Sequence, residues 1–395
     1  MTGKYYLVLK TGTSEMRAYR NITASVRSEI TPIIEITRGR KNQPKTRERT
    51  GEQYNFSAIQ DFIDNEVSKS RDSFIDVTRD DDLSSDFTRN LSSPKSGYIC
   101  WAEYIRERQR ANPSICPILQ ISPVPGESWI DYERSLFMQF DELAKTSSAI
   151  GYRAVKKTDD EFDLDLQVLS RRALAYTESG GRFVVILDYD YVRPGTGELH
   201  SIEAAEVFRI VHDICPFAEL VLVSTSFPKS VTDVGGESYG DFRIEEVYLH
   251  AATANRVHNF ADISYGDYGS INPIRNDAVA RGWRPRIDYP YGPDHVFYYR
   301  EKRSSHGSGD DKVYSAYATH YKNVAAKVVA DSKFRHDSLS FRADIWGVSQ
   351  IIEASQQPLP KSSPSFWISV RMNIHIHQQI DRLRRASTDL NSLLL

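Results

Sequence analysis

Nine short stretches of this chain are apolar almost without interruption, and most of them stop at a charged or hydroxyl-bearing residue. They are YYLVLK (5–10), PIIEI (32–36), SFIDVT (73–78), CPILQIS (116–122), AIGYRAV (149–155), FVVILDYD (183–190), ELVLVSTSF (219–227), ADISYGDY (261–268) and RPRIDYPY (284–291). A strand with one face in water alternates apolar and polar residues. A strand covered on both faces has no polar side to show, so it reads as a continuous apolar run. That is the pattern of a parallel sheet wrapped by helices, and it excludes most all-β and all-α folds.

Helical segments separate the runs. In NFSAIQDFIDNEV (55–67), Phe56, Ile59, Phe62, Ile63 and Val67 fall on one face at helical spacing. Ser128–Lys145, Phe162–Tyr176 and Ile202–Ile214 follow the same rule, the last with Ser201 placed as an N-cap. Strand–helix alternation over roughly 250 residues predicts an α/β fold, a TIM-like (β/α)8 barrel rather than an open sheet. Nine runs compete for eight places. YYLVLK is assigned the first, because a loop and a helix (Ser14–Arg27) separate it from PIIEI, with the opposite assignment, RPRIDYPY in the barrel and YYLVLK outside, kept as the alternative. RPRIDYPY instead continues through Gly292–Asp294 into HVFYYREK as an added hairpin. Residues 1–303 are therefore expected to form the barrel with its hairpin. Residues 304–395 form a mostly helical C-terminal extension packed on it, with helices over Val313–Ala330 and Ser340–Ala354 and a linker QQPLPKSSP (356–364).

Fifty basic residues balance 53 acidic ones, so no general attraction to nucleic acid or anionic membrane follows, and any such binding needs a local patch. No apolar run reaches the ~20 residues that span a bilayer, and MTGKYYLVLK lacks the layout of a signal peptide. Cys100, Cys116 and Cys215 are sparse and widely spaced. They suggest neither a disulfide framework nor a zinc site, and the expectation is a cytoplasmic protein with reduced thiols.

In a barrel of this kind the C-terminal strand ends and the loops after them form the functional mouth. The strand ends here supply Lys10, Glu35, Asp76, Gln120, Arg153, Asp188, Asp190, Ser224, Ser226 and Asp267, a polar ring above an apolar floor. Carboxylates brought together need a metal, a cation or a shared proton to coexist. Glu35, Asp76, Asp188 and Asp190 are hard oxygen donors suited to Mg²⁺ or Mn²⁺. The plainer reading caps the following helices with these acids, or pairs them with Arg153 or Lys10. After PIIEI, the loop RGRKNQPKTRER (38–49) sets six basic residues, among them Arg38, Arg40 and Lys41, against one acid. Such a rim attracts phosphate, or it is a solvated loop. VGGESYG (234–240) lacks dinucleotide or P-loop spacing and reads as a flexible lid. His375 and His377 share a face only in an extended segment.

Several segments resemble the phage "Beta protein" family: YYLVLKTGTSEMRAYRNI with ITPIIEI, then STSFP (224–228), FRIEEVYL (242–249), SYGDYG (264–269), DIWGVSQI (344–351) and FWISVRMNIHIH (366–377). The resemblance runs over nearly the whole chain. It implies a protein carried by phages, phage satellites and islands of anti-phage defence genes, with a protein partner encoded in the same locus. It marks Glu35, Ser226, Phe227, Pro228, Tyr265, Gly266 and Asp267 as emphasised positions and assigns no catalytic residue. Two departures stand out. The glutamate usually reached through Gly-Glu in the first loop follows Ser14 here, and Ile376 separates the paired histidines.

Two functions follow as expectations. In the first, Glu35, Asp76, Asp188 and Asp267 hold a divalent metal that activates water against a phosphodiester or nucleotide. Arg153 and Lys10 would offset the developing charge, and Arg38, Arg40, Lys41, Ser224, Ser226, Tyr265 and Asp267 would contact the ligand. In the second, the protein is a non-catalytic defence component that binds a partner protein.

Overall fold

A computed structural model describes residues 5–41, 54–67, 71–156, 159, 161–274, 283–306, 313–360 and 363–393. Eight parallel strands form one sheet: β1 (Tyr5–Lys10), β2 (Ile30–Ile36), β3 (Ser73–Val77), β4 (Ile115–Pro117), β5 (Ala149–Val155), β6 (Arg182–Tyr191), β7 (Glu219–Thr225) and β8 (Ile263–Asp267). Each pairs with its neighbour in sequence, and β8 returns to β1. Between β4 and β5 the closure is slender, a single parallel bridge from Ile118 to Gly151. Gly151 is needed there, since a Cβ would stand 3.0 Å from the Ile118 side chain and 3.2 Å from Phe74. The result is a nearly closed TIM-like barrel, as the apolar runs predicted.

Alternation along the strands sorts the core into two layers. Tyr6, Val8, Ile33, Phe74, Ile118, Val184, Ile186, Val221 and Val223 fill the barrel. Tyr5, Leu7, Ile34, Ile75, Val185, Leu187 and Leu222 face the helices. Among those helices, Ser57–Asp61 continues into a π-helical turn, Phe62–Glu66, and Phe56, Ile59, Phe62, Ile63 and Val67 are all buried. The helix ending at Ile214 begins at Gly197, not after Ser201. The Ser201 hydroxyl donates to the Glu198 carbonyl, so it is an interior residue and not a cap.

RPRIDYPY does lie outside the barrel. Arg286–Tyr291 and His295–Arg300 pair antiparallel, and a third strand, Tyr239–Arg243, joins them from the loop after β7. The glycine-rich VGGESYG segment therefore runs into a sheet edge rather than forming a free lid. Gly240 packs so closely on Tyr298 that a Cβ would lie 2.4 Å from the ring. Val313–Tyr314 is a short strand against Ser305–His306, so the following helix starts only at Tyr317. Likewise Ser338–Phe341 is a 3-10 turn, and the next helix is Trp346–Gln356.

The terminal helix, Pro364–Leu393, joins both parts. Phe366, Trp367, Val370 and Ile374 pack with Ile287, Phe297 and Tyr321 of the hairpin and helical segment. Met372, Ile376 and Ile380 join the layer between the barrel wall and its helices. Each such buried side chain contributes about 1.5–3 kcal/mol. Asn373 donates to the Asn21 carbonyl at 3.0 Å, which ties this helix to the one after β1, Thr13–Arg20. It thus stands against β8 and the first helix, where a (β/α)8 barrel has its eighth.

Candidate functional site

At the mouth, the inward parity of β2, β3, β5 and β6 brings Glu35, Asp76, Arg153 and Asp188 together, all nearly inaccessible. Arg153 is the hub. Its Nε and Nη2 donate to Asp188 Oδ2 at 2.9 and 2.6 Å, and its Nη1 donates to Glu35 at 3.0 Å and Asp76 at 2.9 Å. Nη2 also reaches the Tyr268 hydroxyl at 2.9 Å, and that hydroxyl donates to Asp188 at 2.6 Å. All five donors of the guanidinium are used. Lys10 sits 3.3 Å from Glu35 and donates to the Pro273 carbonyl at 2.7 Å. Burial disfavours the Glu35 carboxylate, but Lys10 and then Arg153 outweigh it and hold its pKa at about 2. Burial also opposes charge on Arg153, yet Tyr268 and the three carboxylates drive its pKa well upward.

This donor set does not fit a divalent metal. Asp76 Oδ1 accepts from Val77 N and Gln120 Nε2, and Asp188 Oδ1 accepts from Asp190 N. The remaining oxygens of Glu35, Asp76 and Asp188 are taken by Arg153, Lys10 and Tyr268. A cation could enter only by displacing the guanidinium. Among the described residues no group of three or more His, Cys, Asp or Glu is arranged to hold a metal ion. Asp190 stands apart from the ring acids. The strand register shifts between Asp188 and Tyr191, and Asp190 adopts a left-handed φ of 54°. It lines a cavity of about 180 Å³ above the ring, with Lys10, Arg79, Arg153 and Tyr268.

Four of the expected site residues, three of them ring members, face the other way. Ser224, Ser226, Tyr265 and Asp267 have outward parity and lie between the barrel wall and the helices. Asp267 accepts from Tyr5, Tyr265, Gly269 N and His375, each at 2.7 Å. Burial works against its ionisation, but His375 and the hydrogen bonds depress its pKa. Ser226 donates its backbone N–H and its hydroxyl to Glu246, whose other oxygen has no hydrogen-bond partner among the described residues. Burial lifts Glu246 to about 7. His377 turns away from His375 and bonds the Asn373 carbonyl at 2.7 Å. In the basic loop, Arg38 is half-buried over Tyr54, and Arg40 and Lys41 lie in an exposed two-residue strand. Lys45, Arg47 and Arg49 fall outside the described residues.

Two larger clefts flank the ring. One, of about 790 Å³, opens between β1, β7, β8 and the terminal helix. Lys10, Lys229, Arg286 and Arg371 line it, with Glu15 as its acid. Arg371 is buried with its face 3.6 Å from the Phe227 ring. It and Arg286 share one carboxylate, Asp288, at 2.6 and 2.9 Å, and among the described residues the Arg371 Nε–H finds no acceptor. Burial, and after it the repulsion of Arg286, bring the Arg371 pKa down to about 10 despite Asp288. Among the described residues the cleft is short of negative charge. Its cations come from four separate segments, and nothing local in the sequence groups them. The other cleft, of about 840 Å³, lies between the loops after β3, β4 and β5.

The fold and this mouth define a TIM-like barrel with an ion-locked centre. The chain matches the Beta protein family model over residues 5–381 and belongs to that family. It is 25% identical over 386 residues to Protein beta of Enterobacteria phage P4, covering 95% of this chain and 93% of that one. Among solved structures, a chitinase from Chromobacterium violaceum aligns over 94% of this chain and 99% of its own, at 10% identity and a TM-score of 0.30. No helix among the described residues is long and apolar enough to cross a membrane.

Proposed function

We propose that this Beta-family barrel is a cytoplasmic component of a phage-defence locus that binds a phosphate-bearing ligand, a nucleotide or nucleic-acid end, in the cleft lined by Lys10, Lys229, Arg286 and Arg371. The observation that carries the reading is Arg371. It is a buried guanidinium that, among the described residues, has an unpaired Nε–H and shares its one carboxylate with Arg286. A buried charge left under-compensated favours an incoming anion. Two helix starts also border the cleft, at Thr13 and Pro364, and they favour negative charge in the same place.

The reading is one of binding without metal. Glu35 is held at about 2 and Arg153 far above neutrality, so neither is poised to exchange protons at neutral pH. The test is calorimetric titration with inorganic phosphate, AMP and a 5′-phosphorylated oligonucleotide. Binding that weakens with salt, falls about tenfold or more in Lys229→Ala and Arg286→Ala, and ignores EDTA is the expected result. Absence of binding by all three probes, or binding abolished by EDTA, refutes it.

A further inference from the structure

We propose that the second mouth cleft, between the loops after β3, β4 and β5, docks a basic amphipathic segment of a partner protein. This surface is distinct from the cationic cleft. Apolar side chains stand open along it: Trp129 is 50% exposed, Val124 47% and Leu164 37%. Ile130, 66% exposed, extends the patch along the same helix. A soluble chain leaves single apolar residues in water, but a contiguous set beside a cavity of about 840 Å³ marks a place for a partner.

Charge selects the kind of partner. Asp81, Glu127 and Glu161 line the rim. Among the described lining residues, the two arginines each have an acidic neighbour. Arg79 is bonded to Asp159 and donates to the Arg153 carbonyl at 2.7 Å, and Arg89 lies 3.6 Å from Asp86. The floor is closed by Asp165, which takes the hydroxyls of Tyr132 and Tyr152. Among the described residues the accessible lining is therefore predominantly apolar and negative. Lysine and arginine match it best, since an aliphatic stem covers the Val124 and Leu164 surface while the charged head meets a carboxylate or the Trp129 face. An acidic segment would meet like charge, and a purely apolar one would leave the rim carboxylates desolvated without partners. Trp129 occupies the position of an anchoring aromatic of the kind that dominates interface energies.

The test uses the full chain and a fluorescein-labelled short peptide of alternating lysine and leucine, read by anisotropy. A peptide of alternating glutamate and leucine and the small polycation spermine serve as the other arms. The basic peptide should bind, with affinity falling about tenfold in Trp129→Ala and again in the Glu127→Lys/Glu161→Lys pair, and with a weaker salt dependence in the latter. Both variants should keep the parent melting temperature and the parent affinity for inorganic phosphate, which separates this surface from the cationic cleft. No binding of the basic peptide, equal binding by the acidic one, or indifference to both variants overturns the proposal. Displacement of the peptide by an equal concentration of spermine also overturns it, by assigning the cleft to a small polycation.

Discussion

The inner and outer faces of the same barrel wall each bury a set of carboxylates, and they neutralise them differently. Inside, Glu35, Asp76 and Asp188 converge on one guanidinium whose five donors are all committed, with Lys10 and Tyr268 closing the remaining gaps. Outside, Asp267 is held by two tyrosines, a backbone N–H and His375, while Glu246 keeps one oxygen without a hydrogen bond and His375 keeps an unpaired Nδ1. The inner cluster is fully satisfied and therefore rigid. The outer one, among the described residues, carries buried polar atoms without hydrogen-bond partners.

The largest effect should come from removing the hub. Arg153→Met leaves three carboxylates buried without their cation and should cost about 3–5 kcal/mol in urea unfolding. A loss under about 1 kcal/mol would show that the ring relaxes and is not locked. Asp188→Asn keeps Arg153 but withdraws the charge that meets two of its nitrogens. About 2–3 kcal/mol of stability should go, and equally in EDTA and in Mg²⁺ or Mn²⁺. A divalent-dependent melting point in the parent protein would reopen the metal reading.

The two faces should also respond to pH with opposite sign. Glu35 has a folded-state pKa of about 2 against an ordinary 4.5. Its contribution is fully present above about pH 4.5 and is lost as pH falls toward 2. Glu246 is raised from 4.5 to about 7, so the folded state holds the proton more tightly than the unfolded chain does. Its burial costs stability above pH 7, and that cost is relieved as pH falls from 7 toward 4.5. Glu246→Gln should accordingly stabilise the protein by about 2 kcal/mol at pH 8 and by little at pH 4.5. A gain of the same size at both values would mean that ionisation is not the cause. The smallest effect belongs outside both clusters. Trp129→Ala should leave stability within about 0.5 kcal/mol, because half of that side chain is already in water.

The strands were legible because continuous apolar runs survive any ambiguity about facing. The same property hid which polar residues point inward. A strand buried on both faces has no period-2 pattern to fix its parity, so Ser224 and Asp267 read as equals of Glu35 and Asp76 although they point the opposite way. Pairing of the acids with Arg153 or Lys10 was visible as an option, but the choice between a guanidinium and a metal needed the distances. The cationic cleft left no local trace. Lys10, Lys229, Arg286 and Arg371 are scattered along the chain and converge only through the fold. Glu246 sits inside FRIEEVYL as an ordinary helix-start acid, with nothing to signal its burial.

The placement of the terminal helix has a consequence for biosynthesis. His375 meets Asp267 across 108 residues, and Asn373 reaches Ala18 across 355. At ribosomal rates of about 5–20 residues per second, β8 emerges several seconds before the helix that covers it. During that interval the nascent barrel has Tyr5, Tyr265 and Asp267 uncovered on its seam, open to chaperones or to a neighbouring chain. Ribosome stalling within the linker 356–364 should therefore prolong a protease-sensitive, aggregation-prone stage, and release of the last helix should end it.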